Sequence, residues 1–199
     1  MEQIKIGNQT WSSKILDVDT FRNGDPILHA VTEEEWKQAG ENKTPAWCYY
    51  DNDPAKGETY GKLYNWYAVS DPRGLAPEGW HVPSDGEWEI LTDHLGGKVI
   101  AGSQMKSTSG WDDYDDGEDD DDDGESGNGN NESGFSGLPG GFCYVNGPFF
   151  GIGKNGFWWS STEFDTDYAR CRYLSYYDGD VSRDYQNKGK GISVRCLRD

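Results

Sequence analysis

The 199-residue chain carries 36 acidic against 18 basic side chains, a formal charge of −18, with 9 Trp and 12 Tyr in a hydrophobic fraction of only 34%. Rings of that size build a core from few residues, so the chain reads as one folded domain over 1–199 and not as a disordered acid. The absence of clustered Lys and Arg argues against a nucleic-acid partner, and no run of about 18 apolar residues offers a membrane span.

From the N-terminus, IKIGNQTW alternates apolar and polar around Gly7-Asn8 and predicts a first strand or hairpin. MEQIKIGNQTW lacks the apolar core of a signal peptide, so any export is expected to be encoded elsewhere, by a segment removed from this chain, or achieved on a particle. Residues 18–60, punctuated by Asn, Asp, Gly and Pro, read as a loop-rich connection. Leu63, Trp66 and Tyr67 fall at i, i+3 and i+4 and predict a short amphipathic helix. Ser84 with Glu87 makes a capping box, Trp88, Leu91 and Leu95 make one apolar stripe, and Gly96-Gly97 supplies a stop. A helix is predicted from about 85 to 95.

The charge is local. Residues 112–132, DDYDDGEDDDDDGESGNGNNE, hold 12 acidic groups and no basic one, and predict a mobile surface loop. Everything beyond is short and Gly-punctuated, which predicts strands. Helices first and strands second give an α+β domain.

Within YLSYYDGDVSRDYQ, at 173–186, Asp178-Gly179 predicts a two-residue hairpin turn with 177 facing 180 and 173 facing 184. Alternation then sends Leu174, Tyr176 and Val181 to one face, with Arg172, Arg183 and Tyr185 at its margin. The other face receives Cys171, Tyr173, Ser175, Tyr177, Asp180, Ser182, Asp184 and Gln186. Tyr with Ser, Gly and Asp is the chemistry of a paratope, because Tyr offers rigid contact area at low entropic cost. The same residues also serve as ordinary strand and turn formers, so composition leaves both readings open.

Several long motifs, IKIGNQTW, WCYYDNDPAKGETYGKLYNWYAV, PEGWHVPSDGEWEILTDHLGG, KSTSGW, GFSGLPGG, GIGKNGFWWSSTEF and GISVRCLRD, resemble, in that order, the Fibrobacter succinogenes major paralogous domain over nearly the whole chain. The resemblance implies a C-type-lectin-like fold of the formylglycine-generating-enzyme branch, with two helices, a mixed antiparallel sheet and long loops. Proteins of this type include variable proteins of diversity-generating retroelements, in which adenines of a terminal repeat are randomised and Asn codons become Tyr, Asp, Ser, Gly and others. In similar sequences the terminal region is Asn-rich. The resemblance therefore implies a ligand-binding variable region at about 160–190. Its contact residues are Asp165, Thr166, Asp167, Tyr168, Arg170, Cys171, Tyr173, Ser175, Tyr177, Asp178, Gly179, Asp180, Ser182, Asp184, Tyr185, Gln186, Asn187 and Gly189. Leu174, Val181, Arg183, Gly191 and SVRC would be the constant frame. This chain departs from its relatives in lacking a Cys before Pro77-Glu78-Gly79-Trp80 and in placing Cys143 where a polar residue such as Arg is common.

The resulting expectation is a non-enzymatic domain that binds a protein or glycan on a cell or virus surface, located outside the cell, at its surface or on a virion, without cofactor. Catalysis is the first rival, since the formylglycine-generating branch relies on a cysteine pair with copper. Cys48, Cys143, Cys171 and Cys196 have no CxxC spacing, and His29, His81 and His94 form no HxH or HExxH set. His81 reads as a packed structural residue. The cysteines are able to form disulfides under oxidising conditions, in pairs the sequence does not assign. The second rival is calcium-assisted sugar binding without diversification. EPN, QPD and WND are absent, WWSS at 158–161 reads as core, and Asp119 to Asp123 lack the DxDxDG spacing of a calcium loop.

Overall fold

Gly7 takes a φ of 58° and, with Asn8, closes a two-residue turn between β1 (Gln3–Ile6) and β2 (Gln9–Ser12), the hairpin that the alternation predicts. The computed structural model describes residues 1–114 and 125–199. Next come β3 (Leu28–His29), α1 (Glu33–Glu41), β4 (Ala46–Cys48), a 3-10 turn at Tyr50–Asn52, α2 (Pro54–Tyr60), β5 (Leu63–Tyr64) and α3 (Trp66–Val69). They are followed by β6 (Trp80–His81), α4 (Asp85–His94) and α5 (Lys98–Met105). The second half holds β7 (Asp113–Tyr114), β8 (Glu125–Ser126), β9 (Gly140–Cys143), β10 (Phe149–Ile152), β11 (Asn155–Glu163), β12 (Tyr168–Ser175), β13 (Ser182–Asn187) and β14 (Leu197–Arg198). The class is α+β.

Five α-helices stand among the described residues where two are expected. Helix α4 follows its signals: the Ser84 hydroxyl accepts from the Glu87 N–H, and the Glu87 carboxylate accepts from the Ser84 N–H at 2.8 Å. Helix α1 uses the same capping box, Thr32 with Glu35, inside the stretch read as loop. Its apolar stripe is only Trp36 and Ala39, too thin for periodicity to reveal. Helix α3 is shorter than expected because Asn65 caps it, its Oδ1 accepting from the Ala68 N–H, which leaves Leu63 in β5. Helix α5 begins directly after Gly96 and Gly97 and contains Gly102, which hides it from a propensity reading. The glycine is needed there, since a Cβ would lie 2.4 Å from the Gly179 carbonyl oxygen.

The main sheet has the order β10-β9-β11-β12-β13, antiparallel except for β9 beside β11. A second sheet, β1-β2-β14-β6, joins the two ends of the chain, with Leu197 opposite Trp11 and Arg198 donating to Gln3 Oε1 at 3.0 Å. Sheet β3-β4-β5 and hairpin β7-β8 complete the set among the described residues. The main sheet is covered on both faces. Phe157, Trp159, Ala169 and Cys171 pack with Tyr64, Trp66, Ile192 and Val194 on one side, while Trp158 and Leu174 pack with Trp88, Leu91 and Met105 on the other. Both Trp residues of WWSS are core, as expected.

Two expectations need correction. Residues 115–124, including Asp119 to Asp123, lie outside the described residues, but the flanks of the expected acidic loop are built into the fold. β7 pairs with β8, and the Gly129 and Asn130 N–H groups donate to the Ser107 and Ser103 carbonyls at 3.0 and 2.9 Å. The hairpin register is also shifted. Tyr173 faces Ser182 and Cys171 faces Asp184, two residues away from the expected pairing. Residues 176–181 form no two-residue turn, and neither Asp178 nor Gly179 has a positive φ. This segment instead docks on α5: the Ser103 N–H donates to the Gly179 carbonyl, the Val181 N–H to the Lys98 carbonyl, and the Lys106 ammonium to the Asp178 carbonyl. A shift of two leaves the paired side chains of β12 and β13 on their expected faces, because the pleat repeats every two residues, whereas Asp180, outside both strands, turns to the helical side.

The hairpin is tied to α4 through one carboxylate. Asp85, the first helical residue, receives Arg172 from β12 and Arg183 from β13, the latter at 2.7 and 2.9 Å. Arg172 also donates to the Asp85 carbonyl oxygen at 3.0 Å. Burial raises the Asp85 carboxyl, yet the two guanidinium groups outweigh it and hold the pKa below the usual carboxylate value. At the other end of this capping turn, His81 lies between Asp199 (2.7 Å) and Glu87 (2.9 Å). It is half-buried and hydrogen-bonded to two carboxylates rather than packed.

Replacing Asp85 with Ala strands the buried Arg172 charge and is expected to cost roughly 3–5 kcal/mol in urea unfolding. Arg183→Ala, at a half-exposed partner, is expected to cost no more than about 1 kcal/mol. His81 provides a second check. Partial burial lowers its pKa, but hydrogen bonds to Asp199 and Glu87 outweigh this and raise it. Its stabilising contribution is therefore complete below the unfolded value of about 6.5 and is lost as pH rises through the folded value. The difference in Tm between the protein and His81→Gln should be largest at pH 6 and shrink towards pH 8.5.

Candidate functional site

The expected contact residues separate into four places. Asp165, Thr166, Asp167, Tyr168, Arg170 and Tyr185 gather where β11 turns into β12. There an Asx turn forms, with Asp165 Oδ1 accepting from the Asp167 and Tyr168 N–H groups at 2.9 and 2.8 Å. Arg170 pairs with Tyr185 across the strands. Tyr185 stacks on Phe164 with centroids 4.4 Å apart, Tyr168 meets Tyr185 edge-on at 5.6 Å, and the Arg170 guanidinium lies 4.3 Å above the Phe164 ring. Phe164, Tyr168 and Tyr185 are 44%, 38% and 45% exposed, so these rings stack on one another in water and not on the core.

Lys188 holds this patch in place. Its ammonium is buried, lies 4.9 Å from the Trp66 ring, and donates to Glu163 and to the Asp165 and Thr166 carbonyls, the last two at 2.7 and 2.8 Å. Its own N–H donates to the Asp167 carbonyl at 2.9 Å. Three carbonyls of one short loop thus converge on one residue.

The second place is the sheet face carrying Tyr173, Tyr177, Ser182, Asp184 and Gln186. Tyr173 stacks on Phe157 at 5.1 Å. A hydrogen bond from Ser182 favours its phenolate, but burial and the neighbouring Tyr177 and Asp178 together hold the phenol above its ordinary pKa. Phe157 meets Phe142 edge-on at 5.4 Å, and Phe142 faces Phe150 directly across β9 and β10 at 5.8 Å. Lys190 lies 4.2 Å above Phe142 and donates to Gln186 Oε1 at 2.6 Å. Burial lowers its pKa, partly countered by Cys171 and Asp184. Asp184 accepts from the Tyr185 N–H at 2.8 Å and from the Gln186 side chain at 3.1 Å.

In the third place, Asp178, Gly179 and Asp180 sit against α5. Asp180 lines a cavity of about 400 Å³ with Glu89, Asp93, Lys98 and Arg183, on the helical side of the sheet and away from Tyr173. The fourth group is inside. Cys171 and Ser175 are buried and present no contact surface, against expectation, while the buried Gly189 lines an open cavity of about 360 Å³ with Lys37, Asp167 and Asn187. Cys171 and Ser175 share the correct face with Tyr173, but Cys171 is covered by the cluster of Trp159 and Ile192 and Ser175, at the end of β12, is 1% exposed, which small polar residues do not signal. Asn187 is half-buried, its Oδ1 accepting from the Gly189 N–H at 2.9 Å, so it shapes the loop.

Phe142, Phe150, Phe157, Phe164, Lys188 and Lys190 belong to these surfaces and were not anticipated. The aromatic run FCYVNGPFF reads only as strands, and the adjacency of Phe142 to Phe157 depends on the parallel contact between β9 and β11. Lys188 and Lys190 carry no local pattern that announces burial. Among the described residues no cluster of three His, Cys, Asp or Glu side chains is placed to hold a metal ion.

The family model described as the Fibrobacter succinogenes major domain matches residues 4–198. No curated protein and no solved structure matches the chain.

Lys188→Met removes the donor shared by the Asp165 and Thr166 carbonyls. Hydrogen exchange at the Phe164, Asp165 and Tyr168 amides is expected to accelerate by at least about tenfold, with α4 amides unchanged. Equal acceleration in α4 would show a general loss of stability instead.

Proposed function

Since the chain belongs to the Fibrobacter succinogenes major domain family, we propose that it is a non-enzymatic recognition domain with a C-type-lectin-like scaffold. The β12–β13 surface binds a protein or glycan ligand on a cell or virus surface, and residues of the 160–190 region are diversified by a retroelement. The domain acts outside the cell, on a cell surface or on a virion, and needs no cofactor.

One observation carries this reading. The presumed frame residues Leu174 and Val181 are 1% and 3% exposed, whereas the presumed variable residues Tyr168, Tyr177 and Tyr185 are 38%, 52% and 45% exposed. Change at the latter positions costs little stability, and rigid phenols already in place lose little entropy on binding. The state of the thiols supports a non-catalytic role. Burial raises the Cys171 thiol far above its ordinary pKa and pushes Cys196 up to about 12, so neither supplies a thiolate at neutral pH.

The test combines genome and protein. The DNA beside the gene should hold a near-copy of codons 160–199 that differs only at adenines, next to a reverse transcriptase gene. The labelled protein should bind selected cells or glycan surfaces. Tyr177→Ala is expected to reduce binding by about tenfold or more with its Tm within about 2 °C of the parent. Tyr173→Ala, which loses a stack on Phe157, should lose binding with a larger fall in Tm. Tyr185→Ala reports whether the patch around Phe164 belongs to the same site. Unchanged binding in all three variants would overturn the recognition reading, and absence of the repeat would overturn diversification alone.

A further inference from the structure

Although Cys48 and Cys143 are 95 positions apart in the chain, the fold brings them together. Cys48 ends β4 and Cys143 ends β9, two strands of different sheets, and both side chains lie in one buried cluster with Trp36, Ala46, Tyr50 and Leu63. They are 1% and 0% exposed. The two thiols are free, and burial first and the neighbouring Cys143 thiol second push the Cys48 thiol up. Cys143 Sγ also donates to the Gly147 carbonyl at 3.3 Å, and the lack of a side chain at Gly191 leaves room for Cys143, since a Cβ on that glycine would lie 3.0 Å from the Cys143 Cβ. Cys171 and Cys196 lie in a different cluster, where Cys171 faces Trp159 across the sheet and the Cys196 carbonyl accepts from the Ser12 N–H.

We infer that Cys48 and Cys143 form a disulfide when the chain folds under oxidising conditions, while Cys171 and Cys196 stay as thiols. The oxidant is a small-molecule disulfide such as oxidised glutathione. One cysteine thiolate attacks it and releases one small thiol. The second cysteine thiolate then attacks the mixed disulfide and releases the other. Two protein thiols and one small disulfide become one protein disulfide and two small thiols, so atoms and electrons balance. Because both sulfurs are sealed from solvent in the folded chain, the exchange takes place before the core closes. The bond joins β4 to β9, the strand that carries Phe142, and closes a loop of about 95 residues, which removes much freedom from the unfolded chain. This inference stands on the core alone and does not depend on the recognition reading.

The experiment refolds the full chain in a mixture of reduced and oxidised glutathione, denatures it in acid, alkylates it and weighs it. Two of the four cysteines are expected to take up the alkylating agent, against all four after reduction. Peptide mapping should find the Cys48 and Cys143 peptides cross-linked. Reductant should lower the Tm of the oxidised protein by at least about 5 °C and leave that of Cys143→Ala unmoved. Four alkylated cysteines in correctly folded protein, or a cross-link that involves Cys171 or Cys196, would overturn the inference. Mapping on the unaltered chain decides the matter even if the variant fails to fold.

Discussion

A single carboxylate, Asp85, fixes the final hairpin to the helical layer. It begins α4 under the Ser84 cap and receives guanidinium groups from both hairpin strands, so the helix terminus and the strand register are set at one point. The charge on Arg172 is almost wholly withdrawn from water, and such a charge is tolerated only where a partner and further acceptors meet it. That requirement selects one register among those the hairpin sequence permits. It also frees the hairpin from dependence on its own turn, whose residues lie against α5.

Two surfaces follow from this anchoring. Beyond the arginines, β12 and β13 project Arg170 and Tyr185 with Tyr168 and Phe164 into water, and Lys188 collects the carbonyls of the connecting loop from below. On the reverse face, Tyr173 continues an aromatic row through Phe157 and Phe142 to Phe150, with Lys190 above it. A buried lysine is expensive, and Lys188 is offset by several acceptors and a ring face, as the half-buried Lys190 is by Gln186 and Phe142. Rigid support beneath exposed rings reduces the ordering cost of association.

Much of this was legible in the chain, for identifiable reasons. The capping box at Ser84 and Glu87 and the alternation around Gly7-Asn8 are local signals with local outcomes, and both hold. The same capping chemistry at Thr32 and Glu35 went unread because the helix behind it has almost no apolar stripe, its stability coming from Trp36 in a distant cluster. The faces of the hairpin survived a wrong turn because an even shift preserves the pleat. Burial of Cys171 and Ser175 was out of reach. For Cys171 it depends on segments near Tyr64 and Ile192 closing over β12, which no pattern within β12 encodes.

The pairing of the first and last strands has a mechanical consequence. Leu197 lies beside Trp11, and the Ser12 N–H donates to the Cys196 carbonyl at 2.8 Å, so the two ends of the chain share one small sheet. A pull applied between them is borne by β1, β2 and β14 and passes outside the five-stranded sheet. The rings around Tyr185 stand on the five-stranded sheet, off that line of force.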